Sequence, residues 1–289
     1  MNRYIALQKI IELGSFTKAA DTLGYTQSSI SQMVASLEKE LSIKLLTRSR
    51  YGVKLTLEGA ELYPFIERSI NQYLAMREKA NEIKGLETGI IRVGTISSIT
   101  CHWMPALIKG FQKKYPNVQF LFHQGDYTLI PEWIRAGAID FGFINPAAST
   151  DLKTIPIKDG EMLAVLPKKH PFANQKYVRL EDIAKEPYIM LEEGQYSEPM
   201  DAFEKEGLMP NIKYTIHDDY AIMTMVEAGL GVSILAELML RRTNFENVCL
   251  PIVPPVFRTL AVAYKEKESL PIASKYFIDY LIEHKDELP

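Results

Sequence analysis

The sequence contains little cysteine and no long hydrophobic run. Two cysteines, Cys101 and Cys249, occur in 289 residues, too few and too far apart for a disulfide framework or a four-ligand metal site. No stretch of about 18 apolar residues occurs, and the start, MNRYIALQKIIELGS, lacks the apolar core and cleavage site of a signal peptide. These absences exclude a secreted, disulfide-stapled protein and predict a cytoplasmic protein that spans no membrane.

Familiar catalytic and cofactor motifs are missing as well. The sequence has no Walker-type phosphate loop, no G-x-S-x-G and no H-E-x-x-H. Cys101 and His102 are adjacent, and neighbours seldom form a nucleophile and its base, so a small buried hydrophobe is the commoner role of such a cysteine. His217, Asp218 and Asp219 are consecutive, which favours a turn at a strand end over a metal site. We therefore expect no enzyme, no cofactor and no metal.

The charge is unevenly distributed along a chain that is long enough for about two domains. The composition, 47% hydrophobic and 24% charged, is typical of a globular protein with a large core. The net charge is −3, but the first 57 residues hold eight basic and four acidic side chains, which leaves −7 for the rest. A basic N-terminal segment on an acidic body suggests a head that binds a polyanion.

Hydrophobic periodicity in the basic segment predicts three helices. The first covers about residues 2–13. Thr17 and Thr26 can cap a second and a third helix, which are separated by Gly24 and Tyr25. Such a short turn forces two helices to cross steeply, as they do in a helix-turn-helix.

The start of the third helix carries short polar side chains that suit the DNA major groove. Glutamine can pair with adenine through two hydrogen bonds, and hydroxyls can donate to bases or phosphates. A solvated helix start rich in capping residues is the alternative. A predicted two-stranded wing follows, with basic residues around a turn at Tyr51 and Gly52 that would meet the phosphate backbone. The residues predicted to bind DNA are Thr26, Gln27, Ser28, Ser29, Ser31, Gln32, Arg48, Arg50 and Lys54.

The run from Ser15 to Gly59 resembles the winged helix-turn-helix of LysR-type transcriptional regulators. The matching positions are Ala19, Ala20, Leu23, Gln27, Ser31, Leu37, Glu38, Leu41, Leu45, Arg48, Leu55, Thr56 and Gly59. Ser28, Ser42 and Leu46 depart from the family, which usually has proline, glycine and phenylalanine there. The resemblance implies a sequence-specific transcriptional regulator that binds double-stranded DNA.

A long helix is predicted from Thr56 to about Lys84. Apolar and small residues alternate in it at steps of four and three, the spacing of a coiled-coil seam: Leu62, Ile66, Ser69, Tyr73, Met76, Ala80 and Ile83. The same spacing fits a helix face that packs on its own domain. The family resemblance implies a dimerising linker helix, in a homodimer or a homotetramer.

Beyond Gly85, short apolar runs alternate with amphipathic helices, which predicts α/β lobes whose parallel strands are covered on both faces. This region resembles the effector-binding domain of the same family, which is similar to periplasmic solute-binding proteins; the turn at 115–118 and the run at 226–232 carry the likeness. The predicted fold is α+β and multidomain. Its parts are a winged helix-turn-helix (1–58), a linker helix (59–86), lobe I (87–161 and 266–289) and lobe II (162–265).

Ligands of open α/β sheets bind beyond the carboxyl ends of the strands. Hydroxyls follow the first strand of lobe I, where they suit a carboxylate or another anion, although helix capping alone also explains them. Asp126 would repel an anion if its side chain pointed inward. We expect a small-molecule effector, an anionic metabolite, between the two lobes. The residues predicted to bind it are Ser97, Ser98, Thr100, Gln124, Asp126, Asn145, Gln195, Tyr196 and Ser197.

Overall fold

The computed structural model describes four stretches of the chain: residues 1–49, 52–83, 88–241 and 244–289. Arg50 lies outside them, as do the side chains of Arg48 and Ile83. The chain divides into two compact units, of which the first is Met1–Gly85 with Arg135–Ala138 and the second is the remainder. Within the described stretches, every helix is too short or too polar to cross a membrane.

The first unit consists of three short helices, a hairpin and one long helix, which lie where the periodicity predicted them. The elements are α1 (Asn2–Leu13), α2 (Phe16–Leu23), α3 (Gln27–Leu41), β1 (Leu46–Ser49), β2 (Gly52–Leu55) and α4 (Leu57–Ile83). β1 and β2 pair antiparallel as the wing. Apolar side chains of α1, α2, α3 and α4 share one core.

Side chains and one glycine at the helix ends fix the helix-turn-helix. Ser15 caps α2 by accepting a backbone N–H, so Thr17, the expected cap, lies inside the helix. Thr26 caps α3 in the same way, as predicted. Between the two helices Gly24 has a φ of 71°, a left-handed conformation that glycine adopts without steric cost. This compact turn sets α3 against α2.

A buried carboxylate ties the wing to α3. Glu38 is 9% exposed and accepts hydrogen bonds from the backbone N–H groups of Leu45 (2.9 Å) and Leu46 (3.2 Å) and from Lys44 Nζ (2.6 Å). Burial alone would raise the pKa of Glu38, but these hydrogen bonds outweigh it and hold the pKa below its usual value. The ionised carboxylate therefore satisfies two backbone donors where the chain enters the wing.

Part of the predicted coiled-coil seam of α4 is buried inside the first unit. Ile66 is 7% exposed and packs in the core with Ile70, which is not a seam position. Phe65 and Met76, by contrast, are 61% and 60% exposed. The seam prediction is thus wrong at Ile66, because its own domain already covers that side chain. The exposed apolar face of α4 lies at Phe65 and Met76.

The second unit has the following strands: β3 (Gly89–Thr95), β4 (Val118–Gln124), β5 (Phe141–Ile144), β6 (Lys153–Leu166), β7 (Val178–Arg179), β8 (Pro187–Leu191), β9 (Asn211–Ile216), β10 (Ser233–Ala236), β11 (Val248–Leu250), β12 (Ile252–Val253) and β13 (Val256–Tyr264). Its helices are α5 (Ser97–His102), α6 (Met104–Phe111), α7 (Leu129–Ala136), α8 (Leu180–Ile183), α9 (Glu198–Lys205), α10 (Asp219–Glu227), α11 (Glu237–Leu240) and α12 (Ile272–Glu283).

The main sheet is mixed, so the prediction of parallel strands holds only in part. Its order is β10-β6-β13-β5-β3-β4, and β11 also pairs with β6. β3 is parallel to β4 and β5, whereas β13 is antiparallel to β5 and β6. The long strands β6 and β13 run side by side in opposite directions between the lobes, because the chain crosses on β6 and returns on β13. β8 and β9 form a separate parallel pair in lobe II.

The helix predicted from about His102 to Lys114 corresponds to α6, and a further short helix, α5, precedes it. α5 ends at His102 and α6 begins at Met104, with Trp103 between them. Pro105 stands in the first turn of α6, where its missing N–H costs nothing and its fixed φ favours a new helix. The break leaves α5 as a short helix directly after β3.

Ser42 provides a test of how the turn after α3 is built. Among the described residues it is the one non-glycine residue with a positive φ, 55°. We predict that Ser42→Gly raises the free energy of unfolding by about 0.5–1 kcal/mol. Glycine removes the steric cost of the left-handed conformation, roughly 1–2 kcal/mol for an L-residue. Part of this gain is lost because glycine gives up more backbone entropy on folding. Native-state hydrogen exchange of the α1–α3 amides measures the change.

Ala35→Gly is the matched control for this substitution. Ala35 is exposed in the middle of α3, so glycine there should lower the protection of the same amides by about 1 kcal/mol. A loss of protection in Ser42→Gly of the size seen in Ala35→Gly would contradict the prediction.

Candidate functional sites

The first candidate site is the N-terminal end of α3. The predicted contacts on its first two turns are exposed at Gln27, Ser28 and Gln32 and half-buried at Ser29 and Ser31. The Oγ1 atom of the exposed Thr26 lies 2.9 Å from Ser28 Oγ and 2.8 Å from Ser29 Oγ, so three hydroxyls cluster at the first turn. These short side chains offer hydrogen-bond donors and acceptors and allow the helix to approach base edges in a major groove closely.

The wing adds a second exposed edge in the same unit. Lys54 on β2 is exposed and pairs with Thr47 on β1. The backbone of Arg48 belongs to β1, whereas its side chain and the whole of Arg50 lie outside the described residues. A helix start with polar side chains and an adjoining hairpin with a lysine is the geometry by which winged helices meet bases and phosphates.

The second candidate site is a cleft of about 350 Å³ in the second unit. It lies between lobe I and lobe II, and Arg258 of the crossing strand β13 contributes to its wall. Four of the nine residues predicted to bind an effector line it: Ser97, Ser98, Gln124 and Asp126. A cavity of this size is at the small end of the range for small-molecule sites.

Ser98 is the most informative of these four residues. Its side chain is buried, with 3% of the residue exposed, and its Oγ atom has no hydrogen-bond partner among the described residues. Gln124 Nε2 donates to Ser97 Oγ (2.7 Å), and Asp126 Oδ1 accepts the N–H groups that begin α7. An unpaired buried hydroxyl is unfavourable, and a ligand in the cleft would satisfy it.

The other five predicted residues do not line the cleft, and their polar groups are paired within the protein: Thr100, Asn145, Gln195, Tyr196 and Ser197. Gln195 shows what they do instead. Its Nε2 atom donates to the carbonyl of Ala148 (2.9 Å) and its N–H donates to Thr128 Oγ1 (2.8 Å), which joins lobe II to lobe I. These residues support the walls of the cleft.

A buried charged network forms part of the cleft wall. Arg258, 5% exposed, donates from Nε to the Tyr127 hydroxyl (2.7 Å) and from Nη2 to Glu193 Oε1 (2.7 Å). Glu198 Oε1 lies 3.6 Å from Arg258 Nε and accepts a hydrogen bond from the Tyr127 hydroxyl (3.0 Å). These four residues are called the Arg258 network below. Two carboxylates thus share one guanidinium.

Burial and neighbouring charges shift the pKa values of the acids in and beside the network. Burial raises the pKa of Glu193 to about 8; the Arg258 guanidinium opposes this rise, and the neighbouring Glu198, Asp219 and Asp126 add to it. Burial also raises the pKa of Asp219, again against the field of Arg258. The charged forms of these two acids are therefore disfavoured in the cleft.

Sequence reasoning missed five polar residues that line the cleft: Glu192, Glu193, His217, Asp219 and Arg258. The glutamates directly follow β8, and His217 directly follows β9, so the strand-end rule that found Ser97 applies to them too. Arg258 stands inside an apolar strand, which is itself a signal of a paired charge.

Two further motifs of the sequence have clear positions. Asp218 caps α10 by accepting the N–H of Ala221 (2.7 Å), whereas His217 and Asp219 line the cleft. No group of three metal-ligating side chains with suitable geometry occurs among the described residues. Cys101 is exposed, so its interpretation as a buried hydrophobe is wrong.

Each of the two units matches a known protein-family description. The description "Bacterial regulatory helix-turn-helix protein, lysR family" matches residues 1–60, and "LysR substrate binding domain" matches residues 84–286. The chain is 31% identical over 274 residues to YvbU of Bacillus subtilis (strain 168), an uncharacterized HTH-type transcriptional regulator, with 94% of each chain covered.

Solved structures share the fold along almost the whole chain. A full-length OxyR variant from Pseudomonas aeruginosa superposes with a TM-score of 0.72 at 23% identity, covering 99% of this chain and 97% of that one. Full-length CbnR complexed with its target DNA gives a TM-score of 0.71 at 19% identity, covering 98% and 97%. With its helix-turn-helix and its two-lobed effector-binding domain, the chain belongs to the LysR family of DNA-binding transcriptional regulators.

Proposed function

We propose that this LysR-family chain is a sequence-specific regulator whose DNA binding or activation responds to a small molecule in the cleft between its lobes. The observation that carries the proposal is Ser98, which lines the cleft and whose buried hydroxyl has no partner among the described residues. The polar surface at the start of α3 suits the DNA major groove, so effector binding could be converted into a change in DNA binding. A regulator needs both sites, and neither requires catalysis.

On the DNA side, we assign two kinds of contact to the nine predicted residues. The first turns of α3 face base edges, which suits their short polar side chains: Gln27, Ser28, Ser29, Ser31 and Gln32. The cap and the wing contact phosphates, which suits a hydroxyl and three cations: Thr26, Arg48, Arg50 and Lys54. Base contacts specify the sequence and phosphate contacts position the protein.

On the effector side, the charge of the cleft argues against the anionic metabolite predicted from sequence. That prediction depended on the hydroxyls that follow β3. The same cleft is lined by carboxylates from three further segments, at Asp126, at Glu192 and Glu193, and at Asp219. An anion would be repelled by them, and Arg258 is already paired within its network.

The organisation of the chain is part of the proposal. The exposed Phe65 and Met76 on α4 leave an apolar face that a second copy can cover, which supports a homodimer and its pairing into a homotetramer. The domains are those predicted from the sequence: 1–58 for DNA binding, 59–86 for the linker, and two lobes over 87–289.

The DNA assignment predicts opposite behaviour for two single substitutions. On an operator selected from random DNA, Gln27→Ala should lose about 1–3 kcal/mol of binding free energy, with little loss on non-specific DNA. Lys54→Ala should weaken both and reduce the salt slope by about one. Fluorescence anisotropy at several salt concentrations measures both quantities.

Gln175→Ala, an exposed glutamine of lobe II, is the control and should change neither DNA affinity. Equal losses on operator and non-specific DNA for both Gln27→Ala and Lys54→Ala would reject the assignment.

The effector assignment predicts that Ser98 contributes to ligand affinity. For any ligand found by a thermal-shift screen of the full chain, Ser98→Ala should weaken binding by about 1 kcal/mol, roughly fivefold, because one hydrogen bond is lost. Calorimetry measures this, and saturating ligand should alter the affinity for the operator.

Ser233→Ala is the matched control, since Ser233 is a buried serine whose hydroxyl is already satisfied by the carbonyl of Ile189 (2.7 Å). It should lower stability and leave ligand affinity unchanged. A ligand whose affinity is the same in Ser98→Ala and in the unsubstituted chain would place the effector site elsewhere.

A further inference from the structure

We propose that the ligand of the cleft carries a protonated amino group, held by the carboxylates of Asp219 and Glu192. The inference rests on the proposed function, because it assigns a chemical class to the ligand of that same cleft. It is the opposite of the charge predicted from the sequence.

Acidic side chains outnumber basic ones on the cleft wall. Asp126, Glu192, Glu193 and Asp219 line it as carboxylates, and Arg258 is the one guanidinium or ammonium group among its described lining residues. Arg258 is already bound to Glu193 at 2.7 Å. Of the other three acids, Asp126 accepts the N–H groups of Thr128 and Leu129, so Glu192 and Asp219 line the cleft without a cation within 4 Å among the described residues.

Uncompensated charge in this cleft is unfavourable. Burial raises the pKa of Glu193 and of Asp219 against the field of Arg258, and neighbouring acids add to the rise. Negative charges that share a partly buried site destabilise one another unless a cation joins them. A ligand ammonium would compensate this charge, and a second anion would increase it.

An observation independent of charge is Ser98, which is 3% exposed and lines the same cleft, and whose buried Oγ atom has no partner among the described residues. A ligand with a second hydrogen-bonding group, besides the amine, could satisfy this hydroxyl. The volume, about 350 Å³, limits that ligand to a small molecule.

An ammonium fits this wall better than a metal ion does. Among the described residues no three carboxylate, imidazole or thiolate groups are grouped so that they could share a metal. Carboxylates spread along the wall suit an amine, which donates its hydrogen bonds in several directions. The ligand class is therefore a small molecule with a protonated amine and one further polar group.

Probes of equal chain length and different charge test this class: 1,4-diaminobutane, 4-aminobutanoate and butanedioate. Calorimetry with the full chain should show binding of the two amines and much weaker binding of butanedioate. Asp219→Asn and Glu192→Gln should each weaken amine binding by about tenfold, because each removes a charged hydrogen bond. Glu204→Gln, an equal loss of charge at an exposed position of α9, should leave it unchanged.

A ligand-free measurement complements the titrations. If the acids of the empty cleft repel one another, Asp219→Asn should raise the melting temperature of the second unit by about 2–4 °C, since relief of about 1 kcal/mol has that effect in a domain of this size. A lower melting temperature would show that Asp219 is a satisfied structural acid and would overturn the proposal.

The outcomes separate this inference from the proposed function. Butanedioate binding that Ser98→Ala weakens would keep the cleft as the effector site and overturn the ammonium assignment. Amine binding that responds neither to Asp219→Asn nor to Ser98→Ala would overturn both. No amine binding up to millimolar concentration would also overturn the assignment of an amine.

Discussion

One guanidinium buried between two glutamates is the interaction on which the second unit depends. Arg258 lies near the start of the crossing strand β13 and contacts Glu193, which follows β8, and Glu198, which begins α9. Tyr127 of lobe I completes the network through its hydroxyl. The network therefore joins lobe I, lobe II and the strand that connects them. Because its charges are buried, the loss of Arg258 would leave two carboxylates uncompensated.

The network also determines what the cleft can bind. It uses the positive charge of Arg258 internally, so the remaining acids, Asp126, Glu192 and Asp219, set the potential that a ligand meets. Gln195 bonds lobe II to the backbone of lobe I beside them. A ligand that contacts both walls would favour one arrangement of the lobes by its differential affinity, which is the requirement for a signal.

The features predicted correctly from the sequence are those that depend on interactions between residues close together in the chain. Capping found Thr26, and the strand-end rule found Ser98, because each depends on a few consecutive residues. The antiparallel return of β13 depends on pairing with β6 about a hundred residues earlier, and periodicity carries no such information. Spacing on α4 likewise shows that Ile66 is buried but not whether its own core or a second chain covers it. The role of Arg258 in the cleft was not predicted, because its partners are distant in sequence.

The most direct test of this account is the stability of the second unit when the charges of the network are removed singly and together. Both tryptophans, Trp103 and Trp133, lie in that unit, so their fluorescence reports its unfolding in urea. Arg258→Met alone should cost about 3–5 kcal/mol, because it leaves two buried carboxylates unpaired. Adding Glu193→Gln and Glu198→Gln should recover most of that loss. A single variant as stable as the unsubstituted chain, or a triple variant no more stable than the single one, would contradict the claim that charge balance holds the cleft together.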